Sequence, residues 1–171
     1  MLPLILFFFF LLIFSAQTTL LGLFSFSGVT PDLILILAVY CGINFQGNGG
    51  IGAGCAMGLV QDCLSGDVLG INTLSKGLIG FFFSALKNKI MVDGIVPISF
   101  FLVVSSLFDA FVFYMVWSLL LKGESSSGYL FPNFLIYAGY NAVVGPLLFF
   151  IFNRGKRWIS LKFPNQVFRA S

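Results

Sequence analysis

Pro31-Asp32, and then Gly58-Leu59-Val60-Gln61-Asp62-Cys63-Leu64-Ser65-Gly66-Asp67-Val68-Leu69-Gly70-Ile71-Asn72, decide how this chain is read. Acidic residues stand there inside sequence that is otherwise apolar and rich in glycine. An acid in such surroundings sits at or near membrane depth, where charge is costly and needs a partner or a purpose. The rest of the chain fits that solvent. Of its 171 residues 58% are hydrophobic and only 9% are Asp, Glu, Lys or Arg, against roughly 25% in soluble domains. Phenylalanine alone contributes 23 residues, and the mean hydropathy is +1.03. So few charges cannot cover that much apolar surface in water, so the class is an all-α integral membrane protein.

Six apolar segments are expected, over Leu2–Leu23, Asp32–Ile43, Gly50–Leu64, Ile71–Leu86, Ile95–Leu121 and Tyr129–Phe152. The second and third are short, and pairing them as a re-entrant hairpin would leave four full spans. Lys87 and Lys89 follow the fourth segment, and Arg154, Lys156, Arg157, Lys162 and Arg169 follow the sixth. The positive-inside rule puts both groups in the cytoplasm, and six spans satisfy both with both termini inside. Lys122 and Glu124 then fall in an outer loop. The expected organisation is one polytopic domain over 1–153 and a basic cytoplasmic tail over 154–171. That tail either anchors orientation or docks a cytoplasmic partner or anionic lipid. The first segment lacks a basic residue before its apolar core, and Phe14 is too large for a small-x-small cleavage site, so it reads as a retained span rather than a signal peptide.

Local signals mark helix boundaries. Thr30 is placed to cap the second helix, with Pro31 at its first position and Asp32 in the first turn. Pro97 and Pro132 stand early in their segments. Pro146, next to Gly145, lies well inside the sixth, where a kink is expected and neighbouring groups must take up the freed carbonyl.

Gly50, Gly54 and Gly58 recur every fourth residue and therefore share one helical face, which Asp62 continues. Such a face admits a close neighbour. It either packs internally or receives a partner's helix. Asp62 and Lys76 fall at similar depth, Lys76 lying about five residues, roughly 7 Å, inside its segment. The two are expected to approach each other or to share Asn72, Thr73 and Ser75, unless Lys76 snorkels outward. Asp109 lies near the middle of the fifth segment with Ser105 and Ser106 one turn before it. It is neutral, hydrogen-bonded to a hydroxyl, or paired.

Catalysis finds little footing. The chain has no histidine, so Ser-His and Cys-His arrangements are excluded. No phosphate-binding or dinucleotide fingerprint occurs. Cys41, Cys55 and Cys63 lie in apolar segments without metal spacing and read as small packing residues. No catalytic residue, metal site or cofactor is expected.

Pro31-Asp32 followed by the apolar run Leu33 to Tyr40, and Gly58-x-x-x-Asp62-x-Leu64-x-Gly66 continued by Leu69-Gly70-Ile71-Asn72, resemble the bacterial rod shape-determining protein MreD family. The specific match covers about a third of the chain, and the remainder agrees in character. The resemblance implies a non-enzymatic inner-membrane adaptor of the rod complex, or elongasome. It implies binding to an MreC-like periplasmic scaffold, with MreB, RodA and a penicillin-binding transpeptidase in the wider assembly. It also implies support of lateral-wall peptidoglycan synthesis and rod cell shape. It implies a six-helix transmembrane bundle similar to the substrate-binding subunit of energy-coupling-factor transporters, so a vitamin-transporter subunit is the alternative. The partner-binding or structural motif would be Pro31, Asp32, Gly54, Gly58, Asp62, Gly66, Gly70 and Asn72, with Asp62, Lys76 and Asp109 as intramembrane polar residues. Membrane lipid, and no nucleic acid, completes the expected surroundings.

Overall fold

The computed structural model describes residues 10, 12–20, 29–45, 48–66, 69–86, 94–121 and 127–162. Among them every regular element is helical: α1, a π-helical turn over Ala16–Leu20, then α2 (Leu33–Asn44), α3 (Asn48–Ser65), α4 (Ile71–Leu86), α5 (Ile95–Leu121) and α6 (Ser127–Lys162). Most of the first apolar segment, Lys87, Lys89, Lys122, Glu124 and Arg169 lie outside the described residues.

The centre is α2. Its sequence is apolar around the whole circumference, the pattern of a helix with no solvent face. Leu33 through Val39 are all buried, and α2 packs on α3, α4, α5 and α6. The helix stops after Asn44, where Phe45 turns extended and donates its N–H back to the Cys41 carbonyl at 2.8 Å.

Around it, α3 and α4 form the closest pair. A Cβ built on Gly54 or Gly58 would lie inside 3.0 Å of the α4 backbone at Lys76 and Asn72. At the other end of the pair, a Cβ on Gly50 would come within 2.7 Å of the Gly80 carbonyl oxygen, and Gly42 of α2 joins the same contact. The glycine face of the third segment is therefore filled by α4, the internal use of a small-residue face. Between the pair, Gly66 (φ +70°) ends α3 in the left-handed region and Gly70 (φ +103°) re-aims the chain into α4, conformations that favour glycine.

Among the described residues two helices are long and apolar enough to cross a membrane, over Ile95–Val116 and Asn133–Trp158. α2 and α4, at 12 and 16 residues, fall short of the ~20 residues a span needs. The long helices turn large apolar side chains outward, among them Phe100, Phe111 and Leu119 on α5 and Val143, Leu147 and Phe150 on α6. A soluble core helix would bury that surface, and lipid explains its exposure.

Two boundaries differ from the sequence reading. The cap of α2 is Asp32 rather than Thr30: the Asp32 carboxylate reaches the N–H groups of Ile34 and Leu35, so the helix begins at Leu33. α6 does not end near Phe152 but continues through Arg154, Lys156 and Arg157 to Lys162. It also runs on through Pro146, whose missing N–H frees the Ala142 carbonyl. The Ser99 hydroxyl of α5 donates to that carbonyl at 3.0 Å, while Leu102 packs on the bare backbone of Gly145.

Candidate buried ionic centre

α2 begins among buried residues, so its first N–H groups need protein acceptors. Asp32 N–H donates to Asn141 Oδ1 at 2.8 Å, and Leu33 N–H to Gln17 Oε1 at 2.8 Å. The N–H groups of Ile34 and Leu35 both donate to Asp32 Oδ1 at 2.9 Å. Gln17 also donates through Nε2 to the carbonyl of buried Pro31 at 3.3 Å. A helix N-terminus favours negative charge, which places the Asp32 carboxylate here and leaves its Oδ2 free to face the neighbouring helices.

That oxygen meets Lys76. The lysine side chain is the largest fully buried one among the described residues, with 0% exposure. Its ammonium lies 3.0 Å from Asp32 Oδ2, 3.1 Å from Asp109 Oδ1 and 2.6 Å from Asn72 Oδ1. Three acceptors match the three N–H groups of an ammonium. Gln61 Nε2 adds a longer bond to Asp32 Oδ2 at 3.3 Å. Asp109 accepts from the Ser75 hydroxyl through Oδ1 and from the Tyr137 hydroxyl through Oδ2 at 2.9 Å. The same Tyr137 oxygen stands 3.3 Å from Asp32 Oδ2. One turn along α6, Asn141 Nδ2 donates to Ser106 Oγ at 2.9 Å. The centre thus ties together the start of α2, α4, α5 and α6, with Gln61 of α3 at its edge. Two carboxylates share one ammonium, and the α2 N-terminus offsets part of the remaining negative charge.

Asp62 belongs to a second, adjoining site. It does not pair with Lys76. The residue is 2% exposed, and its carboxylate accepts from Gly70 N–H at 2.9 Å, Asn72 N–H at 3.0 Å, Thr73 N–H at 3.0 Å and the Thr73 hydroxyl at 2.6 Å. Gly70 precedes α4 and has no side chain to cap it, so Asp62 supplies the cap from α3. Asn72 joins the two sites: its N–H serves Asp62 and its side-chain oxygen serves Lys76. Lys76 does not snorkel, and the polar neighbour it shares with Asp62 is Asn72. Asp109 takes its hydroxyl partners from α4 and α6, because Ser105 turns back to the Phe101 carbonyl and Ser106 receives Asn141.

The sequence-picked residues therefore fall in one connected region: Pro31 and Asp32 at the head of α2, Gly54 and Gly58 at the α3–α4 contact, and Asp62, Gly66, Gly70 and Asn72 in and around the joining turn. Sequence reasoning missed Tyr137, Gln61 and Gln17 as partners. Tyr137 and Asn141 stand four apart in an apolar segment, a spacing that puts two polar groups on one helix face. Gln17 interrupts the first apolar segment, and Gln61 adjoins Asp62. Chemically, the centre holds helices in register. Its lysine is an ammonium already held by two carboxylates and an amide, an arrangement unlike the desolvated neutral amine that acts as a nucleophile.

A family model described as rod shape-determining protein MreD matches residues 1–155. No curated protein and no solved structure matches the chain. The matched stretch contains the whole ionic centre and the Asp62 cap, and the all-helical structure with two membrane-length helices agrees with a membrane family. The chain belongs to the rod shape-determining protein MreD family, the membrane family of the rod-shape complex, which acts in determining rod shape.

Proposed function

We propose that this chain is a non-enzymatic adaptor of the rod complex in the bacterial inner membrane. In this reading it binds an MreC-like periplasmic scaffold and supports lateral-wall peptidoglycan synthesis with MreB, RodA and a penicillin-binding transpeptidase. The family match over residues 1–155 carries the reading. The interior supports it: the charged groups are tied to one another, as suits a rigid frame that presents its outer faces to partners. Pro31, Asp32, Gly54, Gly58, Asp62, Gly66, Gly70 and Asn72 act as that frame. Since α4 occupies the glycine face of α3, the scaffold's membrane helix meets another surface. The domain extends over 1–153 as one polytopic unit, and the basic stretch 154–171 and the N-terminus face the cytoplasm.

The test is purification of the tagged protein from its native membrane in mild detergent, with identification of what accompanies it. Recovery of MreC-like and RodA-like proteins is expected. Recovery of paired ATPases with a coupling membrane subunit, and of no rod-complex protein, would replace this reading with a transporter subunit.

A further inference from the structure

The end of α6 carries charges that nothing in the described structure answers. The two ion pairs among the described residues both belong to Lys76. From residue 125 to residue 171 the sequence has no Asp or Glu, while Arg154, Lys156 and Arg157 follow one another on the helix. At 100° per residue these three cations separate into two faces. Lys156 is exposed but faces the C-terminal end of α2, where a cation is favourable, and donates to Asn44 Oδ1 at 2.6 Å. Arg154 and Arg157 turn the other way and are exposed.

Their face continues a longer one. Val143, Leu147, Phe150, Arg154, Arg157 and Trp158 fall within an arc of about 100° on the helical wheel, and all six are exposed. The first three, each more than 60% exposed, are the surface assigned above to lipid. Arg154 lies one turn beyond Phe150, roughly 6 Å along the axis, and Arg157 about 4.5 Å further. Trp158 stands where tryptophan marks a membrane interface. An acyl chain lying along Val143, Leu147 and Phe150 therefore brings its phosphate to the level of two guanidinium groups that have no acidic partner among the described residues. These groups suit bidentate phosphate contacts.

We propose that Arg154 and Arg157 form a headgroup site for an anionic phospholipid whose chains lie on the outer face of α6. Charge decides between headgroups: a zwitterionic lipid carries its own cation, whereas phosphatidylglycerol answers the excess positive charge. Each arginine near the surface is worth about fivefold in affinity for anionic lipid, so the pair gives about a thirtyfold preference at low ionic strength.

With Trp117→Phe, Trp158 is the one tryptophan left among these 171 residues. This variant is reconstituted in phosphatidylcholine vesicles containing a minor fraction of brominated phosphatidylglycerol or of brominated phosphatidylcholine, and quenching of Trp158 is titrated. The expected result is strong preferential quenching by the brominated phosphatidylglycerol, lost in R154Q/R157Q and kept in K156Q. Equal quenching by both lipids overturns the proposal and leaves the arginines to an acidic segment of a protein. Abolition of the preference by inorganic phosphate at matched ionic strength also overturns it, in favour of a free-anion site. If R154Q/R157Q does not insert, competition by unbrominated phosphatidylglycerol against unbrominated phosphatidylcholine on the arginine-bearing protein decides the same question.

Discussion

Lys76 is the residue on which the interior turns. A buried ion pair is not by itself a source of stability, because desolvating both charges offsets most of their attraction. Removing one partner is different, since it strands the other charge in a medium that cannot solvate it. Lys76→Met would leave Asp32 and Asp109 facing each other across Tyr137 with no cation between them. A loss of about 3–5 kcal/mol is expected, read as a large fall in the thermal midpoint of the detergent-purified protein. Adding Asp109→Asn to Lys76→Met removes one stranded charge, while Asp32 keeps its two backbone donors from α2. The double variant is therefore expected to be more stable than Lys76→Met alone. Should the two changes prove additive, the Lys76–Asp109 contact at 3.1 Å carries no coupling and the account of the centre is wrong.

At the level of helices, α3 and α4 are held by backbone contact, and the spacing of the glycines reads from sequence as a face for a close neighbour. What the spacing cannot say is who fills the face. The answer needs the turn chemistry: Gly66 and Gly70 fold the chain back sharply, and Asp62 then caps the helix that returns. Gly58→Ala puts a methyl group against the carbonyl of Asn72 and the Cα of Thr73, both backbone atoms that cannot swing aside. Overpacking of this kind costs about 1–3 kcal/mol, and the upper end is expected because it also disturbs the Asp62 cap one turn away. Gly52 is the control on the opposite face, with nothing within 4 Å of its added Cβ. Gly52→Ala should be neutral or stabilising, by up to about 1 kcal/mol of helix propensity. Midpoints that fall equally in both variants would separate the stability of α3 from its contact with α4. The same contrast marks how far the sequence could be read. The bounds of α4 and α5 follow directly from hydropathy, and Asp109 stands out as an acid within an apolar run. Local sequence points to Thr30 as the cap of α2 but cannot decide against Asp32, because both are good caps. The choice is made by Asn141, 109 positions away, and by Lys76, neither of which is local. The role of Tyr137 is not legible locally for a related reason, since it depends on a register between α5 and α6 that no local pattern fixes.

For the whole molecule, the long helices and the short ones do different work. α2 and α4 are too short to cross a ~30 Å hydrocarbon layer and bring Asp32 and Lys76 to the polar centre, whereas α5 and α6 add Asp109, Tyr137 and Asn141 to it and turn apolar surface outward. A membrane protein keeps irregular backbone and charge only where protein surrounds them, and the start of α2, with Asp32, Asn141 and Gln17 as acceptors, meets that condition. This arrangement constrains topology. If α5 and α6 each cross once, the orientation proposed above puts positions 122–126 outside and the basic positions 87–89 and 154–169 in the cytoplasm. In a variant with Cys41, Cys55 and Cys63 replaced by alanine, a membrane-impermeant maleimide applied to spheroplasts should label Ser126→Cys. Asn88→Cys and Ser171→Cys should react only after permeabilisation. Labelling of Asn88→Cys from outside would place the two ends of α5 on the same side and rule out a crossing. Labelling of Ser171→Cys from outside would invert α6, and with it the leaflet in which Arg154 and Arg157 meet their lipid.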